Sequence, residues 1–222
     1  MAAKINKETL DFFKLIKKNN DREWFKKNKH LYEKANANII EFTTELIKLI
    51  AAFDKPVALL SPKDCMYRIY RDTRFSNDKT PYKTHAGIHI TSAEKKMGSA
   101  GYYLHIEPGN NLLGGGVYHP DPDRLRGMRQ EIDYNAKDFL KIINNKTFKS
   151  TFGEIVGDRL KTVPKGYDKE NPMLEYLQMK EYLTMKSVDD DLMLADDFIK
   201  VAAKTFKVMH PFNEFLNLPM KD

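Results

Sequence analysis

Cysteine is almost missing from this 222-residue sequence. Cys65 stands alone, so no intrachain disulfide can form, which suits a reducing compartment. Within DCMYRIY it reads as a small buried apolar residue rather than as a nucleophile. Long apolar runs are missing as well. Charges interrupt the hydrophobic residues of MAAKINKETLDFFKLIKKNN every few positions, so this stretch has no signal-peptide core. No later stretch approaches the roughly 20 apolar residues that a spanning helix needs. The expectation is a cytoplasmic protein with no membrane partner. Repeats, low-complexity tracts and Pro/Ser-rich hinges are absent too, so the best partition is one domain over residues 1–222.

Catalytic signatures are equally scarce. There is no nucleophile elbow, paired-cysteine motif, kinase set or metalloprotease helix. LLGGGVY lacks the Lys-Ser/Thr ending of a phosphate loop and the spacing of a dinucleotide fingerprint. Its glycines, Gly115 at their centre, read instead as a bulge or a close backbone approach within a strand, or as an open floor on which a ligand lies. No cofactor is expected.

What is present begins with charge. Thirty-seven Lys and Arg against 31 Asp and Glu leave +6, which permits an anionic partner without demanding one. Many lysines fall in helical segments such as KKNNDREWFKKNKH, where they read as a solvated face. Nucleic acid is thus permitted and not indicated, and the oligomeric state is unspecified.

The first fifty residues carry helical periodicity: Leu10, Phe12, Phe13, Leu15 and Ile16 in one helix, then Trp24 to Ile50 behind an Asp21 cap. Two asparagines predict a bend near residues 35–38. CMYRIY, THAGIHIT and GYYLHIE then alternate and, with NLLGGGVY, predict a mainly antiparallel sheet. Its buried face takes Ile69, Ile88, Leu104 and Ile106, and its polar face His85, His89, Tyr103 and His105. Residues 91–100 and 108–111 read as turns. Asp121 caps a helix with Pro122 at its first position, and further helices are expected near 136–143, 171–181, 195–208 and 211–217. The fold class is α+β, with helices from both ends of the chain on one face of the sheet.

Residues 63–83 concentrate six cations (Lys63, Arg68, Arg71, Arg74, Lys79, Lys83) against Asp64, Asp72 and Asp78. Guanidinium grips carboxylate or phosphate through two parallel hydrogen bonds, and a cationic loop held by a sheet is well placed to catch an anion. The aspartates equally permit a structural network in which the arginines bind nothing. Both readings stand at this point. In the first, Arg68, Arg71, Arg74, Lys79 and Lys83 wall a cleft, Tyr103 and His105 extend it, and Gly115 opens its floor.

The histidines raise the question of a metal. His85 and His89 share a strand face, but their Cα atoms lie roughly 13 Å apart at 3.3 Å per residue, too far to share one ion. His105 and Glu107 are closer, and a third ligand would have to come from a neighbouring strand; the expectation is no metal. The same two residues are the candidate general acid/base and its orienting carboxylate.

Five phrases occur in one order: NNDREWFKKNKHLYEKA, YRIYRDTRFSNDKTPYKTHAG, GYYLHIEPGNNLLGGGVYHPDPDRLRGMRQEI, PKGYDKENP and HPFNEFLN. Together they resemble the bacterial and fungal family known as domain of unknown function 2461, over about residues 8–217. The resemblance implies a stand-alone cytosolic α+β protein and brings no activity, cofactor or catalytic residue. The functional expectation therefore rests on the residues: binding or transformation of a small phosphorylated or carboxylated ligand, with nucleic-acid binding or a non-catalytic interaction module as alternatives.

Overall fold

The computed structural model describes residues 3–91 and 99–220. Among these the chain is α+β: ten α-helices and a four-stranded antiparallel sheet of order β1-β2-β3-β4. The strands are β1 (Ala86–Ile90), β2 (Gly101–Ile106), β3 (Asn111–Val117) and β4 (Tyr182–Val188). The expected turn at 91–100 lies largely outside the described residues. No helix among them is long and apolar enough to cross a membrane.

Two compact units are distinguished, one formed by Met1–Ile90, Tyr103–Leu113 and Ser187–Lys204, the other by Thr91–Tyr102, Gly114–Lys186 and Thr205–Asp222. In the first, α1 (Lys7–Lys18) packs on α3 (Lys29–Ala51) through residues such as Phe12, Ile16, Phe42 and Leu46. Phe198, at the start of α10 (Phe198–Leu216), stacks on Phe42 with ring centroids 5.8 Å apart. Between α1 and α3, α2 (Arg22–Lys27) starts where the Asp21 side chain accepts the Trp24 amide, as its cap position predicts. The alternation of β1 and β2 holds: Ile69, Ile88, Leu104 and Ile106 are buried, each contributing on the order of 1.5–3 kcal/mol.

In the second unit, Tyr102 packs on Phe206 of α10. Asp121 caps α5 (Pro122–Tyr134) by accepting two amides, and Arg124 donates to the Leu216 carbonyl and to Asn217.

Several local expectations are corrected. α3 runs unbroken through residues 35–38, because Asn38 is buried and its amide is used up. Its Oδ1 accepts from the Asn6 N–H and the Thr9 hydroxyl, and its Nδ2 donates to the Lys4 carbonyl. CMYRIY is not a ladder strand: Cys65 ends a short helix, α4 (Pro62–Cys65), and only the bridges Met66–Ile88 and Tyr70–Tyr82 follow. The expected helix at 171–181 shrinks to α8 (Leu174–Leu177), after which β4 begins. The two C-terminal helices are one, with Pro211 inside it. The buried side chains of Phe206, Met209, Phe212, Phe215 and Leu216 offset the one hydrogen bond a proline removes.

Candidate functional site

The site in the first unit starts from a defect in strand pairing. Between the bridges Met66–Ile88 and Tyr70–Tyr82, residues 67–69 face residues 83–87, three against five. The two extra residues form a wide bulge, a device that re-aims side chains. It turns Thr84 and His85 toward β2. There the two-residue period sets Tyr103, His105 and Glu107 in a row on the polar side, while Tyr102, Leu104 and Ile106 are buried.

The row is connected. The Tyr103 hydroxyl lies 2.9 Å from His105 Nδ1, and His105 Nε2 lies 3.2 Å from Glu107 Oε2. A carboxylate only accepts, so His105 Nε2–H donates to Glu107 and Nδ1 is left to share the hydrogen bond with the Tyr103 hydroxyl. Asn110 Nδ2 donates to Glu107 Oε2 at 2.9 Å, Thr84 Oγ1 to Oε1 at 3.3 Å, and Lys17 Nζ stands 3.7 Å away. The His85 ring lies 4.4 Å from that of His105, centroid to centroid. The His105 and Glu107 side chains are only 13% and 15% exposed.

Electrostatics fix the protonation of His85, Tyr103 and Glu107 near neutrality. Burial, then the neighbouring His105, push His85 down to about 4, so its imidazole is neutral. Burial pushes Tyr103 up to about 12 and keeps its phenol protonated. Burial also raises Glu107, but hydrogen bonds from Asn110 and His105 outweigh it and leave the carboxyl below its usual value. Tyr103 reaches its position because Gly87 has no side chain: a Cβ there would stand 2.8 Å from the Tyr103 hydroxyl and 3.0 Å from the Tyr67 ring.

The cationic loop separates into two groups. Arg71 donates to Asp78 at 2.5 Å and to the Thr80 hydroxyl. Arg74 grips Asp72 through Nε and Nη2 at 3.0 and 2.7 Å, and Lys79 donates to the Thr73 carbonyl. These three tie the loop to itself. Two N-terminal residues anchor the segment: Asn20 exchanges two hydrogen bonds with the Tyr82 backbone, and Phe25 stacks on the Tyr82 ring at 4.1 Å. Arg68 and Lys83 form the other group. Among the described residues neither makes an ion pair. Lys83 is half-buried with its ammonium 5.2 Å from the Tyr67 ring centroid, and burial, then Arg68, lower its pKa.

Gly115 is buried, and its missing Cβ makes room for Met209 Sδ and the Gly101 carbonyl, so it serves packing. Gly116, at φ +100, lets the Tyr182 carbonyl approach. An open groove of about 850 Å³ in the first unit is lined by Asn20, Arg22, Tyr70, Arg71, Asp78 and Lys79 among others. That groove also holds Arg22 and Lys79, which make no ion pair among the described residues, but its Arg71 is already paired with Asp78 and the histidine cluster does not line it. The half-buried Lys83 beside Arg68 is the better guide, because burial makes its charge the costlier one to leave without an anion.

Sequence reasoning missed Thr84 and Gly87 and did not bring His85 to His105. The bulge that brings His85 to His105 is a register slip and leaves no periodic signal. Thr84 and Gly87 were legible only as parts of THAG. Among families of known sequence, the model described as "Conserved hypothetical protein (DUF2461)" matches residues 8–215. No curated protein and no solved structure matches the chain.

Proposed function

The chain belongs to the DUF2461 family, and for it we propose binding of a small phosphorylated or carboxylated ligand by Arg68 and Lys83, beside Tyr67 and Tyr103. One observation carries this reading. Two cations stand close enough for one to depress the other's pKa; among the described residues neither makes an ion pair, and Asp72, whose carboxylate feels Arg68, is itself gripped by Arg74. Like charges so placed disfavour the folded state, and an anionic ligand is a partner that relieves them. Arg71 and Arg74, which have internal carboxylates, are excluded from the site and act as bracing. The buried Cys65 fits a reducing cytoplasm.

The test is thermal denaturation of chelator-treated protein with inorganic phosphate, pyrophosphate, citrate and nucleoside monophosphates. At least one of these is expected to raise Tm in wild type and not in Arg68→Ala or Lys83→Met, since a ligand of the native state adds stability by mass action. No response to any of them in wild type, or one that survives both substitutions, overturns the proposal.

A second reading has its own observation. Phe75 is 95% exposed with the Arg74 guanidinium 5.6 Å from its ring centroid, an arrangement that suits stacking on a nucleobase. Binding of single-stranded oligonucleotides that weakens steeply with salt and is lost in Phe75→Ala supports it.

A further inference from the structure

We infer that His85, His105 and Glu107 form a binding site for one divalent first-row transition-metal ion. Each offers a ligand atom, and these atoms all lie within 4.8 Å of one another. His105 Nε2 and Glu107 Oε2, at 3.2 Å, already stand near the separation of two ligands on a common ion: bonds of about 2.1 Å at tetrahedral angles set donors roughly 3.4 Å apart.

A general-base pair accounts for His105 and Glu107 but leaves His85 without a purpose. Its ring makes no hydrogen bond among the described residues, yet the bulge holds it half-buried against another imidazole. An ion between the three gives each a partner at once. His85 and His89 stay too far apart along the chain to share one ion; the partner of His85 sits across on β2.

The surroundings are those of a supported metal site. A metal-ligating histidine uses its other ring nitrogen to hold its orientation. When Nε2 binds the ion, His105 Nδ1–H donates to the Tyr103 hydroxyl, 2.9 Å away. Asn110, Thr84 and Lys17 hold the Glu107 carboxylate. Two imidazoles and one carboxylate suit Zn²⁺ or Fe²⁺, and disfavour Mg²⁺ and Ca²⁺, which take oxygen ligands. Three protein ligands leave a position open to water or an anion. This site does not rest on the reading of Arg68 and Lys83.

Chelator-treated full-length protein titrated with Zn²⁺ by calorimetry, and with Co²⁺ by visible absorption, tests the inference. One saturable equivalent per chain is expected. His85→Asn and Glu107→Gln should each weaken it by more than the roughly 10–100-fold that changes to the groups supporting metal ligands cost. His30→Gln and His119→Gln, both at exposed positions, should leave it unchanged. Circular dichroism checks that each variant folds. Should one not fold, X-ray absorption at the zinc edge of the wild type decides, with two imidazoles expected. No saturable uptake, uptake that survives the cluster substitutions or is lost with His30 or His119, or an imidazole count below two overturns the inference. Because phosphate binding is measured on the chelated protein, either result leaves the other testable.

Discussion

His85, just before β1, and His105 of β2 lie ring to ring, centroids 4.4 Å apart, because a bulge of two residues re-aims the first onto the second. Burial and this proximity both disfavour charging His85. His85 is therefore poised to meet a cation with neutral nitrogen, while the carboxylate of Glu107 supplies the negative charge.

Gly87→Ala tests how this arrangement is held. The new methyl meets the Tyr103 hydroxyl and the Tyr67 ring, both at side-chain ends that can move. The fold should survive with a loss of about 1 kcal/mol, on the scale of overpacking. Zn²⁺ affinity should fall, because Tyr103 no longer reaches His105. Unchanged affinity in calorimetry would show that the hydroxyl does not position the imidazole.

Tyr103→Phe isolates the hydroxyl. Stability should drop by about 1 kcal/mol, the net worth of one hydrogen bond. Zn²⁺ binding should weaken roughly 10-fold if Tyr103 orients His105. A purely structural role predicts the first effect without the second.

Asn38 is the polar residue whose loss should cost most in α3. Asn38→Leu removes the acceptor for the Asn6 N–H and the Thr9 hydroxyl and the donor to the Lys4 carbonyl. Leaving such groups unsatisfied costs about 1–3 kcal/mol each where water cannot reach them, so a loss of about 3 kcal/mol is expected in urea denaturation. A loss below 1 kcal/mol would mean that water replaces the amide.

The same residue marks what sequence conveys and what it does not. Alternation at 86, 88, 90 and at 102, 104, 106 made the buried faces of β1 and β2 legible, and Asp21 and Asp121 announced their helices. Asn38 was misread because propensity is local and its three partners are 29 to 34 positions away. Pro211 was misread for the same reason, its helix being held by packing. The candidate site was half legible: His105 lies in β2 and Glu107 directly follows that strand, whereas His85 joins them through register, and which arginines are neutralised depends on loop conformation.

Stability should fall with acid in two stages. Burial depresses His85, to about 4, and His89 below their ordinary 6.5, so their contributions are present above that value and decline as pH falls below it. Asp72, held at about 2 by its hydrogen bonds from Arg74, and Asp78, held at about 2 by the Thr80 amide and then Arg71, contribute above 3.8 and lose that contribution as pH approaches 2. His85→Asn combined with His89→Gln should flatten the first stage and leave the second. An unaltered slope of Tm against pH just below 6.5 would assign that stage to another group.

Lys83→Met and Arg74→Ala together separate bracing from binding. Methionine keeps an apolar stem over Tyr67 and removes a half-buried charge that burial and Arg68 both disfavour. Without ligand, Tm should stay at the wild-type value or rise, as is usual when a site's uncompensated charge is removed. With phosphate or pyrophosphate present, the wild-type gain in Tm should vanish. Arg74 and Asp72 are both exposed, so Arg74→Ala should cost little stability. It should also leave the phosphate response intact, because its guanidinium is already taken by Asp72. A Lys83→Met protein that is clearly less stable than wild type, yet still responds to phosphate, would make Lys83 a brace and remove it from the site. An Arg74→Ala protein that loses the response would return the whole loop to the ligand.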